Sequence, residues 1–181
     1  MGGKVRIEAG TELDALKAVP AIKTDRLSLT PLRKGDIPAY SALCLDDERN
    51  RWWGYDYRTD LGDQPLTDTY FYDVARADFA ARRAVNFAVR LKGRLIGEVV
   101  LYRPDFRGGF EQGCRIAPEY GGQGYGVEAF RAVAEWGLYQ RHLGHVVAKC
   151  FKENDASYKM LSSCMRKKGE DEKFFYFNKE V

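Results

Sequence analysis

A chain of 181 residues, 45% of them hydrophobic, is long enough to bury one core without metal or disulfide staples, so a single globular unit is expected. The 29 basic and 26 acidic residues leave a net charge of +3 scattered along the chain, which gives no basic tract for nucleic acid. Cys44, Cys114, Cys150 and Cys164 form no C-x-x-C pair and no uncharged stretch reaches ten residues, which argues against a zinc site, a secreted disulfide framework and a membrane span, and for a reduced cytoplasmic protein.

Met1-Gly2-Gly3-Lys4-Val5-Arg6 has no apolar leader core, and Arg6 stands where a myristoylation signal takes Ser or Thr. The first part of the chain, 1–22, reads as an N-terminal extension with an edge strand over Lys4 to Glu8 and a short helix over Thr11 to Val19, stopped by Pro20. The pattern sharpens in 23–181. Leu27, Leu29 and Leu32 predict a strand, and Asp36 can cap a helix that carries Ile37, Tyr40, Leu43 and Cys44 on one face. An aromatic loop follows, Arg51-Trp52-Trp53-Gly54-Tyr55-Asp56-Tyr57, and then a helix from about Thr67 to Arg83 with Phe71, Val74, Ala75 and Phe79 at helical spacing.

Val85, Phe87, Val89 and Leu91 alternate as in a strand, Lys92-Gly93 turns the chain, and Leu95 to Tyr102 returns antiparallel. A turn over Asp105 to Gly109 leads to a third run, Phe110 to Ala117. After a glycine-rich loop comes an amphipathic helix with Ala129, Phe130, Val133 and Trp136 inward. His145 to Phe151 predicts a strand, Asn154 to Met165 a helix, and Lys173 to Asn178 a last strand. Helices that join strands in this way give an α/β or α+β plan.

The loop Tyr120-Gly121-Gly122-Gln123-Gly124-Tyr125-Gly126 lies between a strand and a helix, where backbone N–H groups can converge on an anion at the positive end of the helix dipole. A diphosphate suits that geometry. A dinucleotide-binding fingerprint would need glycine at 127, where Val127 stands, and an acidic ribose ligand near Val146, which is absent; no Gly-Lys-Ser/Thr follows either, which excludes a Walker loop.

Three segments together resemble the GNAT acetyltransferases, in particular their RimJ/RimL-type branch. They are Asp25-Arg26-Leu27-Ser28-Leu29-Thr30-Pro31-Leu32, the run Glu111 to Ala129 that contains the glycine loop, and Asn154-Asp155-Ala156-Ser157. The resemblance implies a mixed, mostly antiparallel sheet of six to seven strands, splayed between the family's strands 4 and 5, with about four helices. It further implies acetyl-CoA as cofactor, a primary amine as acceptor (a protein or peptide N-terminus or a small amine), no nucleic-acid or membrane partner, and room for a homodimer. Gly121 departs from the Arg or Gln usual at that place, and Cys164-Met165 from the usual Gly-Phe.

By the same resemblance, Gly121, Gly122, Gln123, Gly124, Tyr125 and Gly126 would hold the diphosphate, and the backbone of Arg115, Ile116 and Ala117 with Asn154 the pantetheine. Ser157 would donate to the departing thiolate, with Tyr158 as a weaker rival, and Glu111 would be the base, with Glu98 as runner-up. Trp52, Trp53, Tyr55 and Tyr57 fall where the family covers its acceptor; adjacent tryptophans cannot both point into one core, so one is expected to line a pocket. His142 and His145 lack a third ligand at useful spacing and read as structural, with no metal expected. A protein that binds acyl-CoA without turnover would carry the same motifs.

Overall fold

The computed structural model describes residues 15–53, 55–102 and 110–181. Eight strands form one sheet in the order β1-β2-β3-β4-β5-β6-β8-β7: β1 (Ile22–Lys23), β2 (Leu27–Thr30), β3 (Ala84–Leu91), β4 (Arg94–Tyr102), β5 (Phe110–Ile116), β6 (His145–Phe151), β7 (Arg166–Glu170) and β8 (Phe174–Glu180). Every neighbouring pair is antiparallel except β5 and β6. The β3–β4 hairpin turns on Lys92 and Gly93, both with positive φ (49° and 82°), the tight-turn conformation that matches strand twist.

Alternation along the strands divides the core in two. On one face Leu29, Phe87, Val99, Val146 and Phe177 pack beneath helix α5 (Tyr125–Glu135), which contributes Ala129, Phe130 and Val133, all at most 1% exposed, as the helical spacing predicts. Helix α6 (Asp155–Cys164) lies beside it through Leu161 and Cys164. On the other face Ala88 and Leu95 meet Tyr40, Leu43 and Cys44 of α1 (Ile37–Leu45) and Ala75 of α4 (Tyr70–Ala80).

The described residues hold more strands and more helices than the six to seven strands and about four helices that the resemblance implies, within the same mixed, mostly antiparallel architecture. Two short helices, α2 (Asp47–Arg51) and α3 (Tyr57–Leu61), stand where a loop is expected. Each starts at an aspartate cap: Asp46 accepts from the Arg49 N–H at 2.8 Å and Asp56 from the Arg58 N–H at 3.0 Å. Strand β7, Arg-Lys-Lys-Gly-Glu, shows no hydrophobic alternation because it is a charged edge. With no glycine to close α6 in a left-handed cap, Met165 takes an extended conformation and passes straight into β7. The strand expected over Lys4 to Glu8 and the turn over Asp105 to Gly109 lie outside the described residues; of the helix expected over Thr11 to Val19, residues 15–19 are described and are not helical. No helix among the described residues is long and apolar enough to cross a membrane.

Candidate active site at the β5–β6 divergence

Strands β5 and β6 pair only at Phe110↔Val146 and Glu111↔Val147, then separate, while β5 stays paired with β4 as far as Ile116. Because β1 precedes the rest, these are the strands expected to splay as the fourth and fifth. The separation leaves one edge of β5 without a strand partner. The Ala117 N–H donates to the Ile96 carbonyl on the β4 side at 2.8 Å, and the Arg115 carbonyl also faces β4, within 2.4 Å of where a Cβ on Gly97 would lie. Alternation therefore turns the Ile116 backbone, and not that of Arg115 or Ala117, toward the open edge; its carbonyl accepts from Arg49 Nε at 3.1 Å. Sequence reasoning missed Arg49, because nothing local in α2 signals contact with β5.

Beyond β5 a short 3-10 turn (Pro118–Tyr120) leads into the glycine loop. The Gly121 N–H is spent on the Pro118 carbonyl at 3.1 Å, so the donors free to face an anion begin at Gly122. Gly122 and Gly124 have φ of 71° and 81°, a conformation that side chains resist. Gly124 is the N-cap of α5, and no side chain caps the first turn. The N–H groups of that turn are left without a side-chain partner at the positive end of the helix dipole, the chemistry that suits an anion. A Cβ on Gly126 would lie 3.5 Å from Ile116 Cγ1 and 3.6 Å from Met160 Sδ, so helix, strand and α6 meet there.

The family model of the acetyltransferase (GNAT) domain matches residues 26–164, most of the chain. The chain belongs to the GNAT acetyltransferase family. It is 34% identical to the uncharacterised N-acetyltransferase YnaD of Bacillus subtilis (strain 168) over 89 residues, 48% of this chain and 52% of YnaD, so that match spans about half of the relative's length. Its fold is similar to that of a GNAT-family acetyltransferase from Bacillus anthracis (TM-score 0.73, 21% identity, 89% of this chain and 98% of that one). It is also similar to RimL, a ribosomal L7/L12 alpha-N-protein acetyltransferase solved in complex with coenzyme A (TM-score 0.73, 12% identity, 90% and 98% covered). The uncapped loop and the open β5 edge are of the right chemistry to receive a diphosphate and an amide-bearing arm.

The opposite face of the GNAT sheet carries the groups expected to meet the acceptor. Glu111 sits at the last β5–β6 pair and opposite Tyr102 on β4. The Tyr102 phenol is raised above its usual range, first by burial and then by the charge of Glu111 and a hydrogen bond to its carboxylate. Trp53 lies on β5 where Gly113 has no side chain: a Cβ there would be 3.2 Å from Trp53 Cη2. Trp52 lies across the divergence, its ring 5.7 Å from that of Phe151 on β6, which is 4.6 Å from Phe174 on β8. The two tryptophans thus straddle the opening between the strands. Tyr55 and Tyr57 do not join them: Tyr55 donates to Asp60 at the surface, and Tyr57 packs against Phe71 and Tyr70 of α4.

Glu98 is not placed to act as a base. It is 1% exposed, and its carboxylate accepts from Arg115 Nε (2.7 Å), Tyr40 Oη (2.8 Å) and Asn86 Nδ2 (3.3 Å). Arg115 completes the network through Asn50 Oδ1 (3.2 Å) and Cys44 Sγ (3.0 Å), and its guanidinium lies 4.3 Å from the Trp53 ring centroid. Burial works to lower the Arg115 guanidinium, but the Glu98 charge outweighs it and holds it above its usual value; the Tyr40 phenol and the Cys44 thiol are both pushed up mainly by burial, the thiol to about 12. The Arg115 side chain therefore serves as a platform for Trp53.

On α6, Asn154 is the N-cap and accepts from the Ser157 N–H at 3.1 Å, while Ser157 stays half-buried in the first turn. Tyr158 packs against Phe175 in a tilted and Phe177 in an edge-to-face arrangement on the core face. No cluster of three or more metal-ligating side chains occurs among the described residues.

Proposed function

We propose that this chain transfers the acetyl group of acetyl-CoA to a primary amine, a protein or peptide N-terminus or a small amine, by direct attack on the thioester in the gap between β5 and β6. The observation that carries this reading is the departure of β6 from β5 immediately after Glu111, with the glycine loop at the far end of β5 and two tryptophans over the opposite face. The bound cofactor supplies a thioester whose carbonyl carbon accepts a nitrogen nucleophile. Residues 23–181 would form the catalytic domain, and the alpha-N-protein specificity of RimL supports a peptide N-terminus among the acceptors to test first.

The backbone N–H groups of Gly122 to Gly126 hold the diphosphate, and the open edge at Ile116 pairs with the pantetheine as an added strand would. Glu111 takes the proton from the acceptor ammonium, directly or through water, since only a neutral amine can attack. An α-amine of pKa near 8 needs little help, whereas a lysine-like amine costs roughly 4–5 kcal/mol to deprotonate at pH 7. Ser157 donates to the leaving thiolate, whose unprotonated release costs only about 2 kcal/mol at pH 7. Trp52 and Trp53 bound the channel through which the amine arrives.

Thiol release from acetyl-CoA, followed against peptides, polyamines and aminoglycosides, tests the proposal. Glu111→Gln should lower kcat/KM by about 100-fold and abolish the acidic limb of its pH profile. An unchanged rate and profile would reject Glu111 as base, and cofactor binding without turnover of any amine would favour a sensor or interaction module.

A further inference from the structure

Arg26 reaches the glycine loop from the bend that joins β1 to β2. Its backbone N–H and its Nε donate to Glu128 in the first turn of α5, at 2.9 and 2.6 Å, and the Thr24 hydroxyl donates to the same carboxylate at 2.5 Å. Burial works against the charged form of Glu128, but these donors outweigh it and hold its carboxyl below the usual range. From that anchor the guanidinium passes along the Tyr125 ring, 4.5 Å from its centroid, and Nη1 donates to the Gln123 carbonyl at 2.9 Å. Nη2 comes so close to Gly124 that a Cβ there would stand 3.3 Å from it.

The bond to Gln123 has a geometric consequence. In a trans peptide the C=O and the following N–H point in opposite directions, and the described residues contain no cis peptide. With the Gln123 carbonyl turned to Arg26, the Gly124 N–H is turned away from it. Gln123 and Gly124 flank this peptide unit, and Gly124, at φ 81°, has no side chain to oppose a flip of its plane. Arg26 is the contact that fixes it.

We infer that Arg26 is a positioning residue for the donor's diphosphate: anchored by Glu128, it locks the Gln123–Gly124 peptide so that the Gly124 N–H faces the anion, compensating for the side chain that Gly121 does not provide. This rests on the role proposed above for the loop. Because Glu128 neutralises the guanidinium, Arg26 acts by orientation and not as a free cation at the site.

Arg26→Met and Arg26→Lys in the full chain test this with two donors, acetyl-CoA and S-acetylpantetheine, which keeps the thioester arm but lacks the diphosphate. Arg26→Met should raise the KM for acetyl-CoA by about tenfold with little change in kcat, and should lower kcat/KM for acetyl-CoA at least about fivefold more than for S-acetylpantetheine. Arg26→Lys, which can still reach the Gln123 carbonyl, should recover part of the difference. Equal losses with the two donors, or none with either, overturn the inference. If Arg26→Met fails to fold by circular dichroism, the donor ratio of Arg26→Lys decides, a ratio equal to that of the unsubstituted protein counting against it. Should the unsubstituted protein use both donors equally well, the diphosphate role of the loop fails first and that of Arg26 with it.

Discussion

Replacing Arg115 by Met would leave Glu98 as a carboxylate 1% exposed beneath α1, with Tyr40 and Asn86 as its remaining donors among the described residues. Removing one member of a buried ion pair costs about 3–5 kcal/mol, and the two surviving hydrogen bonds place the expectation near the lower end. That is a large share of the ~5–15 kcal/mol that stabilises an ordinary domain. Urea unfolding followed by far-ultraviolet circular dichroism at pH 7 reads this directly. The double substitution Arg115→Met with Glu98→Gln should recover about 2 kcal/mol of the loss. If the single and double variants unfold at the same urea concentration, the pair is not coupled as described. The same variant should raise the acceptor KM more than the acetyl-CoA KM, since Trp53 rests on the guanidinium.

Asp36 and Arg90 form a second buried pair, with Nη2–Oδ2 at 2.6 Å and Nη1–Oδ1 at 2.7 Å. Burial pushes the Asp36 carboxyl up, but bonds from Arg90 and the Arg33 N–H outweigh it and hold it below its usual value. A depressed acid stabilises above its unfolded pKa, so this contribution is present above about pH 4 and lost as pH falls through the folded value; Asp36→Asn should be less stable at pH 7 and show a flatter acid dependence of unfolding, and an unaltered acid profile would count against the assignment. Gly97→Ala puts a Cβ 2.4 Å from the Arg115 carbonyl and 2.7 Å from Ile116 Cδ1, a backbone collision that cannot relax cheaply. It should cost about 1–3 kcal/mol in thermal or urea unfolding, and a variant as stable as the parent would refute the close approach of β4 to β5.

The buried face of α5, the Lys92–Gly93 hairpin and the glycine loop were legible because each is set by neighbours within a turn or two: helical spacing, a positive-φ turn, and glycines where a strand becomes a helix. Helices α2 and α3 carried a local signal in Asp46 and Asp56, but the tryptophans and tyrosines between them pointed to a loop. Strand β7 carried none, since a charged edge strand lacks the alternation that marks burial.

The roles of particular side chains divide along the same line. Local sequence determined where an uncapped glycine turn enters α5 and that an aromatic cluster precedes α4, because backbone conformation and amphipathic periodicity are written into short stretches of chain. Only the tertiary structure decided that Glu98 is bound to Arg115, that Trp52 and Trp53 take opposite sides of the β5–β6 opening, and that Arg26 holds the Gln123 carbonyl. Each of these joins residues distant in sequence through the register of the sheet and the packing of helices across it. The energies involved belong to contacts that exist only once the chain has closed, so no single segment carries a record of them.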